Sequence, residues 1–319
     1  MDTHLYNLLL AEIRKSFPKK SVMVDTLAEI LRIEKGAVYR RLRQEVPFIF
    51  NEIAQISKHL NISLDNLIGI ATQNIVPFKS LLPNFSFPQE IDYDKIELNI
   101  DFFKSISQSE NSETASALNQ LPHEFFNEYQ HLFKFYLFKW NFFNNNDKTI
   151  PYNQISISKE MCQLLKKYSL EKKKFKKANF IFDSRIFKII VNEIDFFYSI
   201  RLIEKEDVLN IKGELFSLLD DIEKLALTGK FKETGNSVNL YISEIDVPTN
   251  YTYMESENFH LSIVKMFLLT SVSSTDENAF EKMKMWINAL IKISTLITLT
   301  NERQRVMYFE KQRKIVNEL

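Results

Sequence analysis

The sequence predicts a mainly helical protein, with a compact N-terminal helical domain followed by a larger α+β domain that is mostly helical with a small antiparallel sheet. Glycine makes up 5 of the 319 residues against about 7% in an average chain, and proline 8 of 319 against about 5%. Apolar residues recur at helical spacing along most of the chain. One stretch, residues 237–273, alternates apolar and polar side chains instead, as strands do.

The N-terminal domain, residues 1–70, is predicted to hold five helices. Leu5, Leu8, Leu9 and Ile13 recur at helical spacing, and Pro18 ends this first helix. The next helices are predicted at residues 22–31, 35–43, 51–60 and from Ser63 onward. Ser63 is a candidate N-cap for the fifth.

Residues 71–90 contain Pro77, Pro83 and Pro88. Proline cannot continue a helix and disfavours helical geometry at the residue before it, so a linker or an arm is expected. Large apolar residues lie among these prolines, which favours an arm packed on a neighbour over a free tether.

The larger domain, residues 91–319, is predicted to contain seven helices and two or three antiparallel strands within residues 237–273. The helices are predicted at residues 93–106, 125–143, 159–168, 185–203, 208–227, 278–293 and 301–316. We expect this domain to form a homodimer through its last two helices. The apolar residues proposed for that face are Leu290, Ile293, Ile297 and Leu299. The size and aromatic content of the domain leave open that it also senses a small molecule.

Composition excludes several classes of protein. Lys+Arg and Asp+Glu both number 41, so any affinity for nucleic acid must come from local clustering of charge. A single cysteine, Cys162, excludes internal disulfides, and the scarcity of glycine argues against phosphate-binding glycine loops. The chain shows neither a signal peptide nor an apolar run of about 20 residues, so we expect a cytoplasmic protein without membrane contact.

Two segments, residues 26–31 and 35–43, have the pattern of a helix–turn–helix. If Val38 and Leu42 point into the core, then Gly36, Arg40 and Arg43 point outward at 100° per residue. A face of short side chains followed by long cationic ones suits the major groove, where each arginine can donate a fork of hydrogen bonds to a guanine.

Charge clusters around these segments. Residues 14–43 carry nine basic and three acidic residues, a balance of +6 in a chain whose total is zero. Phosphate neutralisation requires such a local excess of positive charge.

Residues 22–68 resemble the Cro/CI-type (XRE) helix–turn–helix family, whose fold is lambda-repressor-like. The matching stretches are Leu27-Ala28-Glu29, Tyr39-Arg40-Arg41-Leu42 and residues 53–67. The resemblance implies a sequence-specific reader of double-stranded DNA, and the layout of the whole chain is similar to that of bacterial transcription regulators. The base-reading residues that it implies are Lys35, Ala37, Tyr39, Arg40 and Arg43. The phosphate contacts that it implies are Thr26, Arg32 and Arg41.

The sequence departs from the family pattern at two positions. Val24 stands where the family usually has a glutamine that contacts phosphate. Arg32 stands where the turn usually has glycine, so the turn is expected to be strained or to differ in geometry.

Other functions stay open at this point. The N-terminal domain could be a protein–protein adaptor that binds no DNA, and the lysine-rich run at residues 166–177 could be either a second DNA contact or a solvated face. The histidines are scattered and no nucleotide, hydrolase or metalloprotease motif occurs. We therefore expect no enzyme, no catalytic residue, no cofactor and no metal.

Overall fold

In a computed structural model, the chain divides into two compact units, Met1–Pro77 and Phe78–Leu319. The structure describes residues 3–17, 19–60, 62, 64, 67, 79–81, 93–144, 150–257, 259–267 and 270–319. No helix within these residues is long and apolar enough to cross a membrane. The chain is mostly helical and also contains a sheet.

The first unit is helical throughout its regular structure. Its described helices are α1 (Thr3–Lys15), α2 (Lys20–Leu31), α3 (Lys35–Leu42) and α4 (Phe50–Leu60). Of the fifth predicted helix, Ser63 lies outside the described residues, whereas Leu64 and Leu67 are helical and Leu67 is buried.

The core of the first unit is formed by one apolar stripe from each helix. Leu27 of α2 meets Val38 and Leu42 of α3, and all three are buried, as the sequence predicts. Ile13 of α1 and Ile56 of α4 close the core from the other sides. This packing fixes the rotation of α3, because the buried pair determines which side chains face outward.

The second unit surrounds a sheet with helices. Its helices are α5 (Tyr93–Ser107), α6 (His123–Phe126), α7 (Gln130–Asn144), α8 (Lys159–Lys172), α9 (Ile186–Ser199), α10 (Lys205–Thr228), α11 (Glu277–Ile293) and α12 (Glu302–Asn317). Its strands are β1 (Lys79–Leu81), β2 (Glu113–Leu118), β3 (Lys177–Asp183), β4 (Ser237–Ser243), β5 (Tyr251–Ser256), β6 (Phe259–Phe267), β7 (Thr270–Ser274) and β8 (Thr295–Leu296).

The described strands form one mixed sheet in the order β1-β7-β6-β5-β2-β3-β4-β8. Strands β2, β3 and β4 are parallel, and the other pairs are antiparallel. The expectation of a small antiparallel sheet is therefore partly wrong. Strands β2 and β3 do not show the alternation of apolar and polar residues by which a strand is predicted. Nearly every residue in them is buried, as is usual for strands covered on both faces.

Helices cover both faces of this sheet. On one face, Phe180 and Leu240 pack in a large core with α6 to α10 and α12. On the other face, Ile181 packs with Ile287 and Leu290 of α11. The single helix predicted at residues 125–143 is in fact two, α6 and α7, and the one predicted at residues 185–203 ends at Ser199.

Most of the predicted arm at residues 71–90 lies outside the described residues. Its described part is strand β1, in which Lys79 pairs with Ser273 of β7. Of the residues proposed for a dimer face, Leu290 and Ile297 are buried in the unit's own core, whereas Ile293 and Leu299 are exposed.

Candidate nucleic-acid interface

The outward face of α3 carries the side chains that the sequence predicts there. Val38 and Leu42 are buried, while Gly36, Arg40 and Arg43 are exposed. Ala37 and Tyr39, two of the predicted base-reading residues, are partly exposed at the margins of this face. The face therefore presents small side chains first and cationic ones toward the C-terminal end of α3.

Nothing in the described part of the first unit requires a glycine at position 36. A Cβ atom placed on it would meet nothing within 4 Å, and its backbone does not have a positive φ. Glycine inside a helix costs about 1 kcal/mol relative to alanine. An exposed glycine on a helix face leaves room for another molecule to approach the helix backbone closely.

Lys35 lies at the start of α3 and turns toward α2. Its Nζ is 2.8 Å from Asp25 Oδ1, and both side chains are largely exposed. The hydrogen bond with Asp25 raises the pKa of the Lys35 ammonium. Because an exposed ion pair contributes little to stability, Lys35 can exchange this carboxylate for a base or a phosphate at small cost.

Tyr39 is flanked by two cations. The Lys20 Nζ lies 5.8 Å from the centroid of the ring and the Arg43 Cζ lies 6.0 Å from it. Arg43 also lies 3.6 Å from the carboxylate of Glu45 through Nη1, with both side chains exposed. These contacts hold the cations beside the ring without burying them.

The ring of Tyr39 opens onto a cleft of about 550 Å³ between the end of α1, the start of α2 and the end of α3. Its lining contains four cations and no carboxylate among the described residues. These residues are Arg14, Phe17, Lys19, Lys20, Met23, Tyr39, Leu42, Arg43 and Gln44. Arg14 is held there by donating from Nη2 to the carbonyl of Leu42 at 3.4 Å.

Arg14, Lys19 and Lys20 line this cleft but lie outside the residues that the motif identifies. Their only signal in the sequence is the local charge balance of residues 14–43. Lys19 is the N-cap residue of α2, and its ammonium, which is only a donor, makes no capping hydrogen bond to the N–H groups of that helix. The free N–H groups and the positive end of the helix dipole therefore add to the charge of the cleft.

Arg41 has a different environment from the other arginines of α3. It donates from Nε and Nη2 to the two oxygens of Glu52 at 2.8 and 2.6 Å, and from Nη1 to the carbonyl of Ala37. Its side chain is 16% exposed and that of Glu52 12%. The guanidinium thus joins α3 to α4, which argues against the implied phosphate contact of Arg41.

Glu52 also anchors the start of α4. Its Oε2 accepts the Ile49 N–H at 3.0 Å. Burial raises the pKa of its carboxyl, but the hydrogen bonds from Arg41 and from Ile49 outweigh this effect, so the pKa is lowered. The Arg41–Glu52 pair therefore fixes the position of α3 against α4.

Thr26 lies within α2, and Arg32 is the C-cap residue of that helix. Thr26 is partly exposed and Arg32 is exposed. Arg32 closes the helix in the left-handed conformation, with φ 52° and ψ 45°. The strain expected for a non-glycine residue in this turn is therefore present.

The lysine-rich run at residues 166–177 is mostly engaged in ion pairs of the second unit. Five of its seven lysines lie within ion-pair distance of glutamates. These lysines are Lys172, Lys173, Lys174, Lys176 and Lys177. This arrangement favours a structural surface over a second DNA contact.

Within the described residues, no group of His, Cys, Asp and Glu side chains could hold a metal ion. Comparisons of the chain with protein-family models, with curated proteins and with solved structures find no match.

Proposed function

We propose that the first unit is a sequence-specific reader of double-stranded DNA and that the protein regulates transcription in the cytoplasm. The observation that carries the proposal is the outward face of α3. Buried Val38 and Leu42 orient Arg40 and Arg43 outward, beside a cleft lined by further cations. The resemblance of residues 22–68 to Cro/CI-type regulators, with their lambda-repressor-like fold, supports the same reading.

In this proposal α3 enters the major groove with its exposed face toward the base edges. Arg40 and Arg43 each donate a bidentate fork to a guanine, worth about 1–3 kcal/mol of discrimination. Lys35 and Tyr39 add polar contacts, and Ala37 offers its methyl group to a thymine. Gly36 lets the helix come close to the floor of the groove.

Phosphate contacts come from the surrounding cations. Thr26 and Arg32 keep the role implied by the resemblance, because both are at least partly exposed. Arg14, Lys19 and Lys20 of the cleft join them and replace Arg41. Arg14, Lys19, Lys20 and Arg32 give four positive charges per unit that can displace counterions from DNA.

We also propose that the protein acts as a homodimer through its second unit. One short helix contacts too few base pairs for a useful specificity, and two copies one helical turn apart remove this limit. Exposed Ile293 and Leu299 are the available apolar residues of the proposed face, since Leu290 and Ile297 are buried within the unit.

The test is selection of bound fragments from a random DNA pool by the full-length protein. The wild type is expected to enrich one site with two-fold symmetry, and the Arg40→Ala/Arg43→Ala variant to enrich none. Lys58→Ala is the matched control, because Lys58 is an exposed cation in the last turn of α4. Equal enrichment by the wild type and the double variant would contradict the assignment of the reading face.

The alternative is a protein–protein adaptor, and one observation favours it. Val46, Ile49 and Phe50 are exposed beside the end of α3, with Phe50 at 77%. An apolar group of this kind suits contact with another protein. An adaptor binds no DNA even at low salt, whereas a reader binds most tightly there.

A further inference from the structure

The cleft of the first unit has a cationic rim. Four long side chains that line it are exposed to solvent, namely Arg14, Lys19, Lys20 and Arg43. Within the described residues, only Arg43 of these four lies near a carboxylate, that of Glu45 at 3.6 Å. An anion that enters the cleft therefore meets several cations without displacing a closely held counter-charge.

Two of these cations lie at the start of α2. Lys19 is its N-cap residue and Lys20 its first residue, and the side chain of Lys19 makes no capping hydrogen bond. Phosphate groups bind readily at such an end, where the first N–H groups of the helix and its dipole favour negative charge. Arg14 lines the same cleft from α1. Its Nη2 donates to the carbonyl of Leu42 at 3.4 Å, and the guanidinium has further N–H donors for an anion.

The floor of the cleft is apolar and aromatic. Met23 and Leu42, which line it, are buried in the core of the unit. The rings of Phe17 and Tyr39 pack against this core and stay partly exposed. A phosphate group makes no use of such a surface, whereas a nucleobase gains affinity by stacking on an aromatic side chain.

The cleft has room for a ring as well as for phosphates. Its volume of about 550 Å³ lies within the range of about 300–1,000 Å³ that is typical of small-molecule sites. Lys20 Nζ and Arg43 Cζ lie 5.8 and 6.0 Å from the centroid of the Tyr39 ring. These distances are at the outer limit of a cation–π contact, so two exposed, flexible side chains leave a flat group access to the ring.

We propose that this cleft binds a nucleotide, a small molecule that joins an aromatic base to phosphate groups. The phosphates lie at the start of α2, within reach of Lys19, Lys20 and Arg14. The base lies against the rings of Tyr39 and Phe17. Each part of the ligand thus meets the part of the cleft that suits its chemistry.

Occupation of the cleft by a nucleotide excludes DNA. Tyr39 and Arg43 line the cleft and are also proposed base-reading residues, and Lys19 and Lys20 are proposed phosphate contacts. The nucleotide and the duplex therefore compete for the same side chains, and each lowers the affinity for the other. This consequence rests on the proposed function, whereas binding of the nucleotide does not.

The test is isothermal titration of the full-length protein with ATP and, separately, with adenosine and with inorganic tripolyphosphate. The titrations are made without divalent cations and at constant ionic strength. ATP is expected to bind at least about 10-fold more tightly than either fragment, because base and phosphates contact different parts of the cleft. Absence of ATP binding, or equal binding by ATP and either fragment, would overturn the proposal.

Two variants separate the parts of the cleft. Tyr39→Leu keeps an apolar side chain without the aromatic ring, and it is expected to weaken ATP binding by about 10-fold and to leave tripolyphosphate binding unchanged. Lys19→Gln/Lys20→Gln is expected to weaken the binding of both. Lys58→Gln, at an exposed lysine of α4, is the matched control and is expected to bind as the wild type does. Wild-type affinity for ATP in both cleft variants would refute the site.

A further measurement needs no variant. Acetylation of lysines in the wild type, followed by mass spectrometry, is expected to show that ATP protects Lys19 and Lys20 and leaves Lys58 unprotected. If acetylation of Lys19 and Lys20 proceeds equally with and without ATP, the site is refuted even where the variants do not fold.

Competition with DNA is measured separately. Saturating ATP is expected to raise the apparent Kd for the selected DNA site by at least about 10-fold, and adenosine is expected to leave it unchanged. An unchanged Kd at saturating ATP would refute the exclusion of DNA. A protein that binds ATP in the cleft and selects no DNA would refute the proposed function and leave the nucleotide site in place.

Discussion

In the first unit Arg14, Lys19, Lys20 and Arg43 line an open cleft, whereas in the second unit most lysines of residues 166–177 lie against glutamates. Both regions look equally basic when charges are counted along the sequence. The difference is in the partners. Within the described residues, the cations of the cleft are exposed and only Arg43 lies near a carboxylate, that of Glu45, whereas most lysines of the other run lie against glutamates. Under the proposed function, the two regions differ in how many of their charges are available to a partner, and not in the density of charge along the chain.

The largest expected effect is loss of the reading face. Arg40→Ala/Arg43→Ala is expected to lower affinity for the selected DNA site by about 2–6 kcal/mol, because it removes two bidentate base contacts. The melting temperature is expected to change little, since both side chains are exposed. Electrophoretic mobility shift gives the affinity. Lys176→Ala/Lys177→Ala in the second unit is the contrasting control, and a comparable loss there would erase the distinction between the two regions.

Breaking the Arg41–Glu52 pair is expected to act on stability instead. Arg41→Met leaves the largely buried Glu52 carboxylate without its partner and is expected to cost about 3 kcal/mol in the free energy of unfolding. Urea denaturation of the first unit's transition measures this cost. DNA affinity is expected to fall only as far as the unit unfolds. A variant that stays fully folded but loses DNA binding would show that Arg41 contacts phosphate after all.

The same ion pair is expected to make the stability of the first unit fall at acid pH. The folded-state pKa of Glu52 lies below its unfolded value, so its contribution to stability is complete above the unfolded pKa of about 4.5. This contribution is lost as the pH falls through the folded pKa, because the unfolded state then takes up the proton more readily. Glu52→Gln is expected to unfold more easily at neutral pH and to show a weaker dependence on acid.

Lys265 is expected to give the second unit the opposite trend with pH. Its folded pKa is about 7 against 10.5 for a free lysine, so the unfolded state binds more protons between these values. The free energy of unfolding is therefore expected to rise with pH above 7, by at most about 1.4 kcal/mol per pH unit. Lys265→Met is expected to remove this slope in urea denaturation. An unchanged slope would place the titrating group elsewhere.

Substitution of Arg32 is expected to change the stability of the first unit and its DNA affinity in opposite directions. Arg32→Gly relieves a left-handed residue and is expected to raise the free energy of unfolding by about 1 kcal/mol. It is also expected to weaken DNA binding equally for all sequences, and to reduce the slope of log affinity against log salt by about 0.9. Arg32→Lys is the control that keeps the charge. A slope unchanged in Arg32→Gly would remove this residue from the phosphate contacts.

The smallest effect is expected at Gly36. Gly36→Ala meets no neighbour within the first unit, so it is expected to stabilise α3 by up to about 1 kcal/mol. Affinity for the selected DNA is expected to fall, because the added methyl group lies where the groove approaches the helix. Thermal denaturation and mobility shift on the same sample measure both quantities. An unchanged or higher affinity would show that nothing approaches Gly36 closely.

The sequence predicts the helical elements and the rotation of α3 because amphipathic spacing identifies buried positions such as Val38 and Leu42. It does not reveal strands β2 and β3, since residues buried on both faces carry no alternation. The ion pair between Arg41 and Glu52 could not be predicted from the sequence either, because the two residues lie eleven positions apart on different helices. The lowered pKa of Lys265 comes from burial and from charges on several elements of the second unit, so no local pattern in the sequence indicates it.

The most direct test of the central claim is the salt dependence of DNA affinity for the full-length protein. If the open cations of the first unit contact phosphate, log affinity is expected to fall linearly with log salt, with a slope of about −0.9 for each contact. Arg14, Lys19, Lys20 and Arg32 then give a slope of about −3.6 per DNA-bound unit, and substituting any one of them makes it shallower. Absence of DNA binding at low salt would contradict the account and identify the first unit as a protein-binding module.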